Sequence, residues 1–148
     1  MAQDFNTFLA QHGAILEAGV IQRFNDTAAE LQAANQGTVL CNLSQFGTLR
    51  VSGEDAQSFL QNLLSNDIRE IGTARAQLSS LNSPKGRMLA TMLIWRSGDD
   101  YLVQLPRELC EPIRKKLNMY VLRAKLKFLM PAKKSFHWDY QGPMRTKY

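Results

Sequence analysis

Residues 88–95, Met-Leu-Ala-Thr-Met-Leu-Ile-Trp, constrain the fold more than any other stretch of this chain. Met88, Ala90, Met92 and Ile94 alternate with Leu89, Thr91, Leu93 and Trp95, so both rows are largely apolar, the pattern of a central strand covered on both faces. Ser97-Gly98-Asp99-Asp100 supplies turn residues, and Tyr101, Val103 and Leu105 alternate on the way back. A hairpin of this kind needs further strands beside it and a helix layer to bury it. As an apolar run it falls far short of the ~20 residues that span a bilayer, and no membrane partner is expected.

The flanking segments supply those elements. Phe5, Phe8 and Leu9 have helical spacing with Gly13 as a stop, and Thr27-x-x-Glu30 reads as a capping box opening a helix through Ala34 that Gly37 ends. Val39, Leu40, Leu43, Leu49 and Val51 fit strands around Gln45-Phe46-Gly47, with Arg50 pointing to solvent. Ser52, with Asp55 three residues on, reads as the N-cap of a helix whose stripe is Ala56, Phe59, Leu60, Leu63 and Leu64. A strand spans 77–81. Pro106 suits a first helical position, Leu109, Ile113, Leu117 and Tyr120 make the next buried stripe, and Arg114, Lys115 and Lys116 are placed near the end of that helix. A last strand over 125–130 completes a strand-helix-strand-strand-helix-strand series. That order predicts an α+β fold, a ferredoxin-like sandwich with helices on one face of an antiparallel sheet. The expected organisation is a helical segment over 1–37, the α+β domain over 38–130 and an irregular basic tail over 131–148.

With 148 residues, 45% of them apolar, the chain can bury one sizeable core. Cys41 and Cys110 are far apart and form no Cys-x-x-Cys pair, and His12 and His137 are isolated, so no disulfide framework or metal cluster is indicated. Both cysteines read as packed thiols in a reducing cytoplasm. Residues 1–10 contain Asp4 and no Lys or Arg, unlike an export signal. Charge is uneven: residues 1–84 hold 4 Lys and Arg against 8 Asp and Glu, and residues 85–148 hold 14 against 5. Such a basic half forms a solvated surface or attracts nucleic acid or polyanionic small molecules. Trp95 and Tyr101 are able to stack on bases, but their periodicity places them in a sheet.

Two motifs carry chemistry. Ser83-Pro84-Lys85-Gly86-Arg87 leads straight into the apolar strand, so its glycine brings two cations to the strand's mouth, where a carboxylate or phosphate can bind. Ser65-Asn66-Asp67 closes the preceding helix with groups that cap it or hydrogen-bond a ligand edge. Together with Val51-Ser52-Gly53-Glu54-Asp55, at this spacing, they resemble the YgfZ-type folate-binding proteins, relatives of the glycine-cleavage T-protein (aminomethyltransferase, GcvT-like). The resemblance runs from about Leu43 to Phe128. Members of that family are longer three-domain proteins around a folate channel, so the chain is expected to be an N-terminal piece of such a protein.

The resemblance implies tetrahydrofolate as cofactor, weakly held or absent in a piece of this size, with Ser65, Asn66, Asp67, Lys85, Gly86 and Arg87 along one wall. The T-proteins carry an acidic pair on the strand after the glycine turn, one member of which is catalytic. Ala90 and Thr91 stand at the matching positions here, and neither can act as a carboxylate base. This argues against aminomethyl transfer and for the YgfZ-type branch, which is linked to iron–sulfur protein maturation and tRNA modification. The branch's later reactive-cysteine segment does not occur in this sequence. The implied partners are folate and either iron–sulfur proteins or tRNA, and a sheet separated from its neighbouring domains is expected to favour homo-oligomers.

Overall fold

The apolar run at 88–95 does become the inner strand of a sheet, and the segments around it arrange themselves to bury one of its two rows. The computed structural model describes residues 5–18, 20–24, 26–43, 45–130 and 138–141. The chain divides into two units, Met1–Asn42 with Trp138–Tyr148, and Leu43–His137.

The first unit holds α1 (Phe5–Gln11), the hairpin β1 (Ile15–Glu17) and β2 (Val20–Arg23), α2 (Thr27–Gln36), and β3 (Val39–Asn42) paired antiparallel with β9 (Trp138–Gln141). The sequence marks neither β1 nor β2, which are too short to show a period, and β9 lies within the segment read as irregular. The cap of α2 is Asp26, one residue before the expected Thr27. Its carboxylate accepts from the Ala29 N–H at 2.9 Å, and Glu30, freed from a capping-box role, accepts from the Phe24 N–H. Gly37 does end the helix, in extended conformation. None of its side chains is buried.

The second unit runs β4 (Phe46–Ser52), α3 (Ala56–Leu63), β5 (Ala76–Asn82), β6 (Met88–Ser97), β7 (Asp100–Pro106), α4 (Arg107–Tyr120) and β8 (Lys127–Leu129). Its sheet order is β5-β6-β7-β4-β8, and every neighbouring pair is antiparallel. Without β5 this is the ferredoxin-like arrangement of four strands and two helices; β5 is an added edge strand beside β6. Gly98 takes φ +64 in the two-residue turn between β6 and β7.

Ala56, Phe59 and Leu60 of α3 and Cys110, Ile113 and Leu117 of α4 meet one sheet face, made by Leu81, Ala90, Met92, Ile94, Tyr101, Val103, Leu105, Leu49 and Val51. The other row of β6 is not covered to match. Leu93 and Trp95 are only half-buried and Thr91 is exposed, while Leu89 packs against the core, so the expectation of a strand enclosed on both faces is corrected: both helices of the unit lie on the same side. Cross-strand neighbours continue this row, with Ala76 beside Trp95, Leu78 beside Leu93, and Leu102 on β7. Leu78 is 63% exposed.

Three local expectations also shift. β4 begins at Phe46 and includes Gly47, where a Cβ would come within 2.5 Å of the Cys110 sulfur, so the glycine is there for close helix approach and not for a turn. Ser52 ends β4 and does not cap α3; Asp55 stands at that cap, and its carboxylate accepts instead from the Lys125 N–H at 2.7 Å. Arg114, Lys115 and Lys116 lie in the middle of α4, whose last turn has no basic residue. Among the described residues no helix is long and apolar enough to cross a membrane.

Candidate functional site

After α3 the chain turns along the outer edge of β5. Leu64 forms a bridge with Leu81, the Ser65 N–H donates to the Ser80 carbonyl at 3.0 Å, and the Ser80 N–H donates back to Ser65 Oγ at 3.0 Å. Asn66 follows, its N–H directed at Ser79 Oγ and its Nδ2 donating to the Leu78 carbonyl at 2.7 Å. Ser65 and Asn66 therefore spend much of their polar capacity closing an edge that would otherwise offer unpaired backbone groups. Ser79 and Ser80, both buried, complete this network, and the sequence reading passed over them. Their signal is two adjacent hydroxyls between Leu78 and Leu81, which require partners when buried.

Asp67 caps the 3₁₀ turn Ile68–Glu70, accepting from the Arg69 N–H at 2.9 Å. The Arg69 guanidinium also grips both carboxylate oxygens, at 2.8 and 2.5 Å. These bonds hold the Asp67 carboxyl well down, at about 2 against an ordinary 3.8. It is an ionised acceptor already engaged, with Arg69 as the neighbour that the sequence reading missed.

The Lys85-Gly86-Arg87 turn joins β5 to β6. The Ser83 N–H donates to the Arg87 carbonyl at 2.8 Å, the Gly86 N–H to the Ser83 carbonyl at 2.9 Å, and the Arg87 N–H to Ser83 Oγ at 3.1 Å. Gly86 takes φ +76, with open space where a Cβ would lie. Lys85 and Arg87 are exposed. The turn and the Ser65–Asp67 segment serve the same strand but are not joined by a hydrogen bond. The turn starts three residues beyond Ser80, ~10 Å along an extended strand. β5 itself separates the Ser65–Asp67 segment from β6 and its open row.

The two positions expected to carry acids fall on opposite faces. Ala90 is buried in the core, where a carboxylate would be desolvated, and Thr91 is exposed on the open row, its hydroxyl 3.2 Å from the Met88 sulfur. Arg50 is exposed, as expected, and pairs with Asp100 at 3.1 Å. Cys110 is fully buried, and burial pushes its thiol up, away from the reactive thiolate. The side chain of Cys41 and the structure around His137 lie outside the described residues. Among the described residues no three side chains of His, Cys, Asp or Glu converge as a metal site. A shallow groove of about 380 Å³ is lined by Glu54, Gln57, Ser58, Gln61, Asn62 and Arg69. It lies along the solvent side of α3, away from the open sheet face.

A ferredoxin-like sandwich with one added edge strand, one open sheet row and a cationic glycine turn at its mouth defines the chain as an α+β protein. Residues 1–118 match the family described as the GCVT N-terminal domain, and the chain belongs to that family. It is 34% identical over 79 residues to the aminomethyltransferase of Lysinibacillus sphaericus and 32% identical over 78 residues to that of Bacillus subtilis, each match covering 53% of this chain and 22% of the relative. It is 27% identical over 119 residues to a chloroplastic protein of Arabidopsis thaliana named as a transferase, covering 80% of this chain and 28% of that one. The chain thus spans about a quarter of the length of these relatives. The fold is that of the glycine cleavage system aminomethyltransferase T from Bartonella henselae, with a TM-score of 0.77 at 15% identity, over 92% of this chain and 39% of that one.

Proposed function

We propose that this chain is a folate-binding domain of the YgfZ-type branch of its family. In this reading it works in the cytoplasm in iron–sulfur protein maturation or tRNA modification and does not perform aminomethyl transfer. The observation that carries the reading is the head of β6. Two exposed cations, Lys85 and Arg87, stand beside an open apolar row whose matching polar position is the Thr91 hydroxyl and not a carboxylate. Tetrahydrofolate has a flat ring system suited to such a row, and glutamate carboxylates suited to the cations. Ser65 and Asn66 bond along the far side of β5, the strand that presents the turn, and Asp67 follows them, held by Arg69. Ala90 is part of the packed core, so the position has no room for a catalytic acid without unpaired burial. Without ligand, the same open row offers a surface for self-association.

Calorimetric titration of the full chain with tetrahydrofolate, beside a Lys85→Ala/Arg87→Ala double variant and at two salt concentrations, tests the assignment. Saturable binding that weakens with salt and falls at least about ten-fold in the variant is the expected result. No saturable binding by a demonstrably folded chain rejects it as a folate binder in its own right. Turnover in a glycine-cleavage exchange assay would instead overturn the choice of branch.

A further inference from the structure

From Pro112 to Met130 the chain contains Arg114, Lys115, Lys116, Arg123, Lys125 and Lys127 and no Asp or Glu. Within this stretch the end of α4 and the turn after it leave large apolar side chains outside. Met119 is 67% exposed, Tyr120 41% and Leu122 88%. Tight backbone bonds hold them together: the Val121 N–H donates to the Asn118 carbonyl at 3.2 Å and the Leu122 N–H to the Tyr120 carbonyl at 3.0 Å. One helical turn earlier, Lys115 precedes Met119 and Lys116 precedes Tyr120 at the i,i+4 spacing, so these two side chains are each neighboured by a cation on the same face. Arg114 is tied to Glu111 at 2.7 Å, Lys115 reaches the same carboxylate only at 3.9 Å, and Lys125 is tied to Glu54 at 3.0 Å. Among the described residues Lys116 and Arg123 have no acidic partner.

We propose that this shoulder, made of Lys115, Lys116, Met119, Tyr120, Leu122 and Arg123, docks an acidic protein segment that carries apolar side chains of its own. The arrangement is that of a binding patch in miniature, with aromatic and thioether anchors at the centre and cations around them. Charge sets the partner's sign, and the exposed Leu122 and Met119 require apolar groups opposite. A nucleic acid satisfies the cations but leaves those aliphatic side chains in water, since base recognition uses stacking aromatics or Arg. A lipid surface needs a free apolar helix face, and the face of α4 formed by Cys110, Ile113 and Leu117 is already spent on the core. The inference does not depend on folate binding.

The test uses the full chain and a short fluorescent peptide of Glu, Leu and Phe with its acidic and apolar residues on opposite faces, read by anisotropy. Polyglutamate of the same length, single-stranded RNA and anionic phospholipid vesicles serve as competing probes. The amphipathic peptide is expected to bind saturably and more tightly than polyglutamate. A Met119→Ser/Leu122→Ser variant, altered only at exposed positions and checked for an unchanged melting temperature, is expected to lose about ten-fold in affinity for the peptide and none for polyglutamate. A Lys116→Glu/Arg123→Glu variant is expected to lose affinity for both and to flatten the salt dependence. The proposal is overturned if the folded chain fails to bind the peptide, if binding ignores both variants, or if RNA or vesicles bind through these residues more tightly than the peptide does.

Discussion

Gly53 and Gly86 both have positive φ, +132 and +76, but they answer to different physics. A methyl group at 53 would drive into the Lys125 carbonyl and the Leu126 backbone, whereas at 86 it would meet nothing within 4 Å. Gly86→Ala is expected to cost about 1–2 kcal/mol for the left-handed backbone alone. Gly53→Ala is expected to exceed about 3 kcal/mol, because an adverse backbone region already costs about 1–3 kcal/mol before any collision. Urea denaturation of the two variants checks the difference, and equal losses would remove the collision argument. Asp67 gives a second measurement at this scale. Its folded-state value is about 2 and the ordinary one 3.8. A carboxylate held down in the folded state stabilises it above the higher value, and that contribution fades as pH falls through the lower one. NMR titration of Asp67 should therefore show a midpoint near 2, and Arg69→Gln should return it toward 3.8. A midpoint that ignores the substitution would mean that Arg69 is not the cause.

α4 shows how an element tolerates a flaw when its packing is good. Pro112 sits inside the helix, where it has no N–H to give the Glu108 carbonyl the usual i+4 bond, yet Cys110, Ile113 and Leu117 are buried on the face that meets the sheet. Pro112→Ala recovers up to about 3 kcal/mol of helix propensity and gives back up to about 1 kcal/mol through the freer unfolded chain. A net gain of about 1–2 kcal/mol is therefore expected in urea denaturation, and a loss would mean that the proline makes a contact worth more than the restored bond. The same helix marks what the sequence makes legible. Its stripe at Ile113 and Leu117 is a strong 3.6-residue period, as is that of α3, and the hairpin at 97–100 is written in its turn residues. Gly47 was not legible, because its reason is the sulfur of Cys110, a contact that only the folded sheet creates. The cap at Asp26 was missed because two adjacent residues, Asp26 and Thr27, both suit the role. The site was half legible: the positions of Lys85, Gly86 and Arg87 at a strand mouth follow from local signals. That Ser65 and Asn66 bond along the outer edge of β5 does not, since local pattern carries no information about which strand lies at an edge.

At the scale of the whole chain, apolar burial is distributed as unevenly as charge. The contiguous core from Leu49 to Phe128 belongs to the second unit, while α2 in the first unit buries no side chain, and β3 with β9 makes a sheet of only two strands. Two-stranded sheets are marginal by themselves, whereas five strands under two helices enclose enough apolar surface for independent stability. The edges of the larger sheet are also managed from within: the Leu64–Asn66 segment covers β5, and short β8 ends the other side. A chain of residues 43–130 is therefore expected to fold by itself, with one cooperative thermal transition and a melting temperature within about 5 °C of that of the full chain. Circular dichroism melts of the two chains make the comparison. A broad or absent transition in the shorter chain would mean that the first unit supplies stability which its own burial does not account for.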